Sequence, residues 1–360
     1  MPRAVRPLAF YLPAYHPIPE NDKQWGPGFT EWHNVTQGKP RFRGHYQPHV
    51  PADLGFYDLR LPETRHQQAH LARQYSIYGF VYYHYWFSGR RLFDRPFQEV
   101  LDSREPDLPF ALCWANEPWT RRWDGGNSEV FVEQHYSDKD DREHLENLLP
   151  AFFDERYITV DGKPLFLIYR ASLLPTVKRT LMTWREMARL AGLTGLYLCC
   201  VEAGGEPRSD PRASGFDASV EFQPNFAEFC QPRTRMQRVR RHLEWRLHYN
   251  LKLRSEDYAD YVRRCLQATC PAYPRHPGVC TAWDNSARAR GTALTFVNSS
   301  PDIFKQWIIH TLERSHLRAD RDLLFINAWN EWGEGCHLEP DRAYGHAWLE
   351  AVRDALKEVK

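Results

Sequence analysis

Eight short apolar, β-rich runs punctuate the chain, and helical patterns separate most of them. The runs are Leu8–Tyr15, Gly79–Phe87, Pro109–Asn116, Pro164–Tyr169, Gly195–Val201, Ala218–Phe222, Gly278–Trp283 and Leu323–Trp329. Several are nearly continuous in hydrophobicity, as parallel strands covered on both faces are. Between them, Pro62 opens a helix that ends at Tyr78, and Asp138–Phe153 and Leu174–Ala191 are amphipathic. Ser300-Pro301-Asp302 caps a further helix to about His316, and a last one starts near Ala343. Strand and helix alternating eight times is the pattern of an α/β chain folded as a single (β/α)8 TIM barrel. The competing architecture, a doubly wound open sheet, usually carries a Gly-rich phosphate loop after its first strand. Here that position reads Tyr11-Leu12-Pro13-Ala14-Tyr15-His16.

Residues 1–360 therefore read as one barrel domain with two insertions, at about 17–60 and 225–277. The first is rich in Gly, Pro and aromatics (Trp25-Gly26-Pro27-Gly28-Phe29-Thr30-Glu31-Trp32) and reads as a lid or wall, with Trp25, Glu31 and Trp32 folded over the barrel mouth. The second gathers Arg233, Arg235, Arg238, Arg240, Arg241, Arg246, Lys252 and Arg254 against one acid, Glu244. Its basic helices are either a solvated face or a docking surface for an anionic membrane or a phosphate-bearing donor.

Charge is balanced, 47 Lys+Arg against 46 Asp+Glu, so nothing pulls the whole protein toward nucleic acid. The sequence offers no membrane-spanning run and no secretory leader pattern, and it reads as cytoplasmic. Its eight cysteines form no CxxC pair and read as reduced core thiols. His66 and His70 share a helical face without a third ligand in view, so neither metal nor cofactor is expected.

Polar groups gather at the C-terminal ends of the runs, where barrel enzymes place their chemistry. They include Tyr83 and His84, Trp114, Asn116 and Glu117, Tyr169, Glu202, Gln223, Trp283 and Asp284, and Asn330, Glu331 and Glu334. Carboxylates that move protons, amides that bind hydroxyls and indoles that stack on C–H faces together suit a sugar. Trp114 and Trp283 face either substrate or core. His84 is either a satisfied core histidine or a hydroxyl ligand. Trp184, Trp245, Trp307 and Trp348 fall on helical patterns and read as packing. Glu331 and Glu334, flanked by Trp329 and Trp332, are either a structural ion-pair group or the pair for general acid–base work, with Glu334 then expected to be the more desolvated, proton-bearing member. Glu117 is a competing proton carrier or a substrate hydrogen-bonding group.

The segments Phe10-Tyr11-Leu12-Pro13, Gly28-Phe29-Thr30-Glu31-Trp32, Trp114-Ala115-Asn116-Glu117-Pro118-Trp119-Thr120-Arg121-Arg122-Trp123-Asp124-Gly125, Trp283-Asp284-Asn285 and Asn330-Glu331-Trp332-Gly333-Glu334-Gly335 resemble the WbsX-like group. That group is often described as glycosyltransferases and is similar to the endo-α-mannosidases of glycoside hydrolase family 99. The resemblance implies a barrel acting with retention, and without a metal, on α-mannose-like sugars. In the mannosidases the motif's first Glu deprotonates the sugar 2-OH, which attacks C1 to give a 1,2-anhydro sugar; the second is acid, then base. On this chain Glu331 and Glu334 take those roles. Trp123 and Asp124 join the substrate-binding set through the third segment. After Gly335 the chain departs from the mannosidases, with Cys336-His337 where those enzymes more usually have Thr-Gln. A retaining hydrolase or transglycosylase of α-mannoside- or α-rhamnoside-type glycans is expected. A glycosyltransferase of polysaccharide or O-antigen biosynthesis and a non-catalytic glycan-binding module remain alternatives.

Overall fold

The computed structural model of the chain describes residues 5–120, 130–204, 206, 208–227, 229, 253–289, 293–314 and 323–359. The apolar runs become the strands of one parallel barrel: β1 (Arg6–Tyr11), β2 (Gly79–Phe87), β3 (Phe110–Trp114), β4 (Lys163–Ile168), β5 (Tyr197–Glu202), β6 (Ala218–Glu221), β7 and β8 (Leu323–Asn327). β7 comes in two pieces, Arg275–His276 and Gly278–Cys280, on either side of Pro277. The first piece pairs with β6 and the second with β8, while β8 pairs with β1, so this interrupted strand completes the circuit. Pro277 has no N–H to give a ladder, but its carbonyl still accepts from Phe325 N at 2.9 Å. Gly278 is where β6 comes closest: a Cβ there would lie 1.9 Å from the Glu221 carbonyl oxygen.

Most strands end earlier than their apolar runs. β1 stops at Tyr11, not Tyr15, and β8 at Asn327, not Trp329, because the residues beyond them turn away to build the mouth. Helix limits shift for local reasons as well. The helix opened by Pro62 ends at Gln74, four residues short of Tyr78, and the chain turns at Ser76 with φ of 64°. The helix expected from Leu174 starts at Val177, since a residue preceding proline is pushed out of helical geometry and Pro175 follows Leu174. The last helix is Ala347–Glu358 rather than starting at Ala343; Asp341 Oδ1 accepts from Ala343 N and Tyr344 N and holds that stretch in a turn. Asp138–Phe152 and Pro301–Arg314 lie close to their expected places.

Side chains alternate across each strand. Phe10, Tyr83, Phe222 and Phe325 point inward and fill the barrel, with Phe10 5.6 Å from Tyr83, 5.4 Å from Phe222 and 5.8 Å from Phe325. Their neighbours Tyr11, His84 and Trp114 point outward under the helices. Among the described residues no helix is long and apolar enough to cross a membrane, and all the described cysteines are free thiols.

Candidate active site

Beyond β8 the chain makes a small hairpin in which Asn330–Glu331 pairs antiparallel with Cys336–His337. The turn between them is a 3-10 helix, Trp332–Glu334, closed by Gly335 at φ of 57°. Glu331 stands just before this turn and Glu334 at its end. Both meet Arg288. Its Nη1 donates to Glu334 Oε1 at 2.8 Å, and its Nη2 lies 3.0 Å from Glu31 Oε2 and 3.6 Å from Glu331 Oε2. The guanidinium can come this near because Gly333 has no side chain: a Cβ there would be 3.1 Å from both Nε and Nη2. One buried cation therefore serves three carboxylates.

That imbalance decides where a proton rests. Burial pushes the Glu331 carboxyl well above the ordinary carboxylate range, and the neighbouring Glu334 charge adds to it. Burial also raises Glu334, but Arg288 offsets more of that effect through its charge and hydrogen bond. Glu334 keeps 23% of its side chain exposed against 7% for Glu331, and Glu331 Oε2 accepts no hydrogen bond. The expected order is thus reversed. Glu331 is the more desolvated member, and both carboxyls are raised by burial, with Arg288 opposing the rise at each. Arg288 escaped the sequence reading; its one signal was a cation placed just after Trp283-Asp284-Asn285, in the loop facing the acidic strand ends.

Other expected residues reach this mouth. Tyr83 and Tyr169 are half-buried at its inner wall, edge-to-face at 6.0 Å, and Tyr169 feels the charges of Glu117, Glu334 and Glu331. Glu31 also accepts from Asn34 Nδ2 at 2.6 Å and borders a cleft walled by Trp25, Phe29, Phe93 and Trp119. Asp22 Oδ1 fixes that wall by accepting from Gly28 N and Phe29 N. Trp32 lies beneath the mouth, not in it: buried, 5.7 Å from Trp332, its Nε1 donating to Tyr57 O.

The remaining residues are drawn elsewhere, and strand alternation explains most of them. His84 faces outward and meets His144, Nε2 to Nε2, at 3.0 Å; burial drops its pKa to about 3, so it is a neutral core histidine. Trp114 is fully buried against His144 and Trp184, its Nε1 donating to Trp86 O. Glu202 turns outward to accept from Ser219 Oγ and Tyr273 OH. Gln223 Oε1 accepts from Tyr261 OH at 2.6 Å. These four are not mouth residues.

Asn116 and Asn330 are braces. Asn116 Oδ1 accepts from Arg170 N at 2.8 Å while its Nδ2 donates to Arg170 O at 2.9 Å. Asn330 does the same with Leu12 N and O, at 2.8 and 3.0 Å. Each amide thus adds a ladder rung to the strand next door. The following glutamates differ: Glu117 is half-exposed and paired with Arg170 at 2.6 Å, whereas Glu331 is buried. Asp284 accepts from His45 Nε2 and Gln47 Nε2, both at 2.7 Å, and these donors hold its carboxyl below the usual range despite burial. Trp283 is buried with its ring edge-on to Phe226 at 5.0 Å, and the next backbone N–H, Asp284 N, donates to Glu334 O at 2.7 Å. Trp123 and Asp124 lie outside the described residues, as do the basic residues of 225–277 other than Arg254 and those from 263 onward.

Residues 7–352 match the family model described as Glycosyltransferase WbsX. The chain belongs to the WbsX family. The protein WxcX of Xanthomonas campestris pv. campestris strain B100 is 41% identical over 351 residues, which cover 97% of this chain and 49% of WxcX. Its counterpart in a second strain is 41% identical over 356 residues. The chain spans about half the length of these curated relatives. Among solved structures, one described as a glycoside hydrolase-like protein superposes with a TM-score of 0.61 at 14% identity, covering 99% of this chain and 96% of its own. The GH99 endo-α-mannosidase from Bacteroides thetaiotaomicron does so with a TM-score of 0.59 at 13% identity, covering 98% and 97%. At such identities the likeness is one of fold: this WbsX chain has the α/β barrel of the GH99 enzymes.

Proposed function

We propose that this WbsX protein is a retaining glycoside hydrolase or transglycosylase acting on α-mannoside- or α-rhamnoside-type glycans, with Glu331 and Glu334 as its acid and base. The observation that carries the reading is the carboxylate pair at the barrel mouth, whose environments are set apart: Glu331 is the more deeply buried, and Glu334 is hydrogen-bonded to Arg288. General acid–base catalysis needs that separation. With O2 and the leaving group trans, the sugar's own 2-OH is the nucleophile: its proton goes to the basic carboxylate, O2 bonds to C1, and the acid protonates the departing oxygen. Water then opens the 1,2-anhydro sugar by the reverse transfers. The deeper burial of Glu331 and the Arg288 hydrogen bond at Glu334 favour Glu331 as donor and Glu334 as acceptor, the opposite of the roles the resemblance implies.

Leaving groups separate these assignments. An enzyme without its acid still turns over a glycoside whose leaving group needs no proton. Glu331→Gln is expected to keep most activity on an activated aryl α-mannoside or α-rhamnoside and to lose about 10²–10⁴-fold on an oligosaccharide. Glu334→Gln is expected to lose both. The reverse pattern restores the implied order. Full activity of both variants on a substrate the parent cleaves would remove the pair from the mechanism.

The family description favours a second reading, a glycosyltransferase using an activated donor, for which the basic 225–277 segment supplies phosphate contacts. Release of nucleotide from nucleotide sugars, without hydrolysis of any glycan in the panel, would select it. Cytoplasmic location and contact of that segment with an anionic membrane surface belong to the same proposal.

A further inference from the structure

Behind the acid pair, across Trp332, lies a second cluster that the sequence reading left out. His49 Nδ1 is 2.9 Å from His337 Nε2, and Asp341 Oδ2 is 3.8 Å from that same nitrogen. One donor atom from each residue lies within 4.8 Å of the other two, and all three residues are buried. His337 Nδ1 lies 3.0 Å from the Glu339 carbonyl oxygen. A carbonyl only accepts, so Nδ1 carries the proton and Nε2 turns its lone pair toward His49 and Asp341. Metal-binding imidazoles are commonly held this way, with the other N–H given to a backbone carbonyl. Asp341 is braced too: its Oδ1 accepts from Ala343 N at 2.9 Å and Tyr344 N at 2.6 Å, with the Tyr46 hydroxyl alongside. Its other oxygen is left facing the imidazole lone pair. Two electron-rich atoms so placed gain nothing from each other, and a cation between them makes both favourable.

We propose that His49, His337 and Asp341 bind one divalent transition-metal ion, with zinc the best chemical match. Two imidazole nitrogens and a carboxylate oxygen form a borderline donor set that suits zinc, and water completes four-coordination. Zinc–nitrogen bonds of about 2.0–2.1 Å at a tetrahedral angle place two nitrogens roughly 3.3 Å apart, so the rings part by a few tenths of an ångström on binding. The role is structural. His337 belongs to the hairpin that carries Glu331 and stacks on Trp332 at 3.7 Å. His49 belongs to the first insertion, and its Cε1 would be 3.2 Å from a Cβ at Gly335. The ion would fasten that insertion to the back of the acid-bearing hairpin. The competing arrangement is a direct hydrogen bond from His49 Nδ1–H to His337 Nε2.

Metal titration decides, without reference to any catalytic reading. Full-length protein stripped with a chelator is titrated with Zn²⁺, and separately with Co²⁺, while Tm and the visible spectrum are recorded. The expected result is one equivalent bound, a saturable rise in Tm, and Co²⁺ bands of a four-coordinate nitrogen–oxygen site. His337→Gln and Asp341→Asn should each weaken Zn²⁺ binding at least tenfold, while His66→Gln, on the surface helix, leaves it unchanged. No uptake at tenfold excess with an unmoved Tm overturns the proposal and leaves the hydrogen-bonded pair. Undiminished binding in both site variants overturns it as well. Should a variant fail to fold, the parent's stoichiometry and Co²⁺ spectrum decide, six-coordinate bands counting against the site.

Discussion

Arg288 and Glu339 show how burial sets the chemistry of single side chains. Arg288 is the one cation among Glu31, Glu331 and Glu334 in the described site. Removing one partner of a buried ion pair costs about 3–5 kcal/mol because the other charges stay buried. Arg288→Gln is therefore expected to lose about 3 kcal/mol at pH 7, read from urea unfolding. The loss should shrink at pH 5, where the orphaned carboxylates take up protons. Glu339 is fully buried and accepts from Tyr57 OH, Gln68 Nε2 and Trp332 Nε1 at 2.8, 2.6 and 2.6 Å. Burial still outweighs these donors and pushes its pKa from 4.5 to about 7. A carboxyl raised on folding has no effect on stability below its unfolded pKa. It costs stability progressively as pH climbs from about 4.5 to about 7, and a constant amount above, on the order of 3 kcal/mol in all. Glu339→Gln cannot ionise. The stability of the parent relative to this variant should fall between pH 4.5 and 7.5; a difference independent of pH would remove Glu339 as a titrating group.

At the scale of elements, the two Asn-Glu pairs are built alike and serve differently. Asn116 and Asn330 each clamp both backbone groups of a residue on the neighbouring strand. Truncating either removes both of these bonds and an Nδ2 donation to a tyrosine hydroxyl, Tyr136 for Asn116 and Tyr57 for Asn330, and leaves a backbone N–H and C=O unpaired, a loss of about 2–3 kcal/mol. Asn116→Ala and Asn330→Ala should therefore destabilise by similar amounts in urea. Only Asn330→Ala should also cut turnover, by tenfold or more, because Glu331 hangs directly from that brace, whereas Glu117 sits half-exposed on Arg170. Equal activity losses would mean that the braces act through stability alone. The Asn-Glu motif was legible in sequence. Which asparagine precedes a buried carboxylate was not, because that depends on what covers the next residue.

For the whole molecule, the point of closure is the vulnerable one. A methyl at Gly278 would run into the Glu221 carbonyl oxygen, and one at Gly79 would lie 2.2 Å from the Pro109 carbonyl oxygen. Both obstacles are backbone, so relief requires strands to separate. Overpacking of this kind costs about 1–3 kcal/mol and sometimes more. Gly278→Ala should lie at or above the top of that range in urea unfolding, because β7 is already interrupted at Pro277 and holds β6 to β8 with short ladders. A Gly278→Ala protein as stable as the parent would mean that the barrel does not depend on closing there.

The sequence alone determined the barrel, because eight continuous apolar runs alternating with amphipathic helices have few other ways to bury their surfaces. It also placed Glu331 and Glu334 at one turn, since three-residue spacing before Gly335 suits a tight turn. Tertiary structure decided the rest. Period-two alternation sent Tyr83 and Tyr169 inward and His84, Trp114 and Glu202 outward, and reading the strand ends as one set could not tell them apart. Arg288 and Glu31 lie 257 residues apart, and only folding brings them together. Which carboxylate keeps the proton is a property of that meeting: it depends on the distance from each oxygen to one guanidinium, a quantity no local pattern encodes.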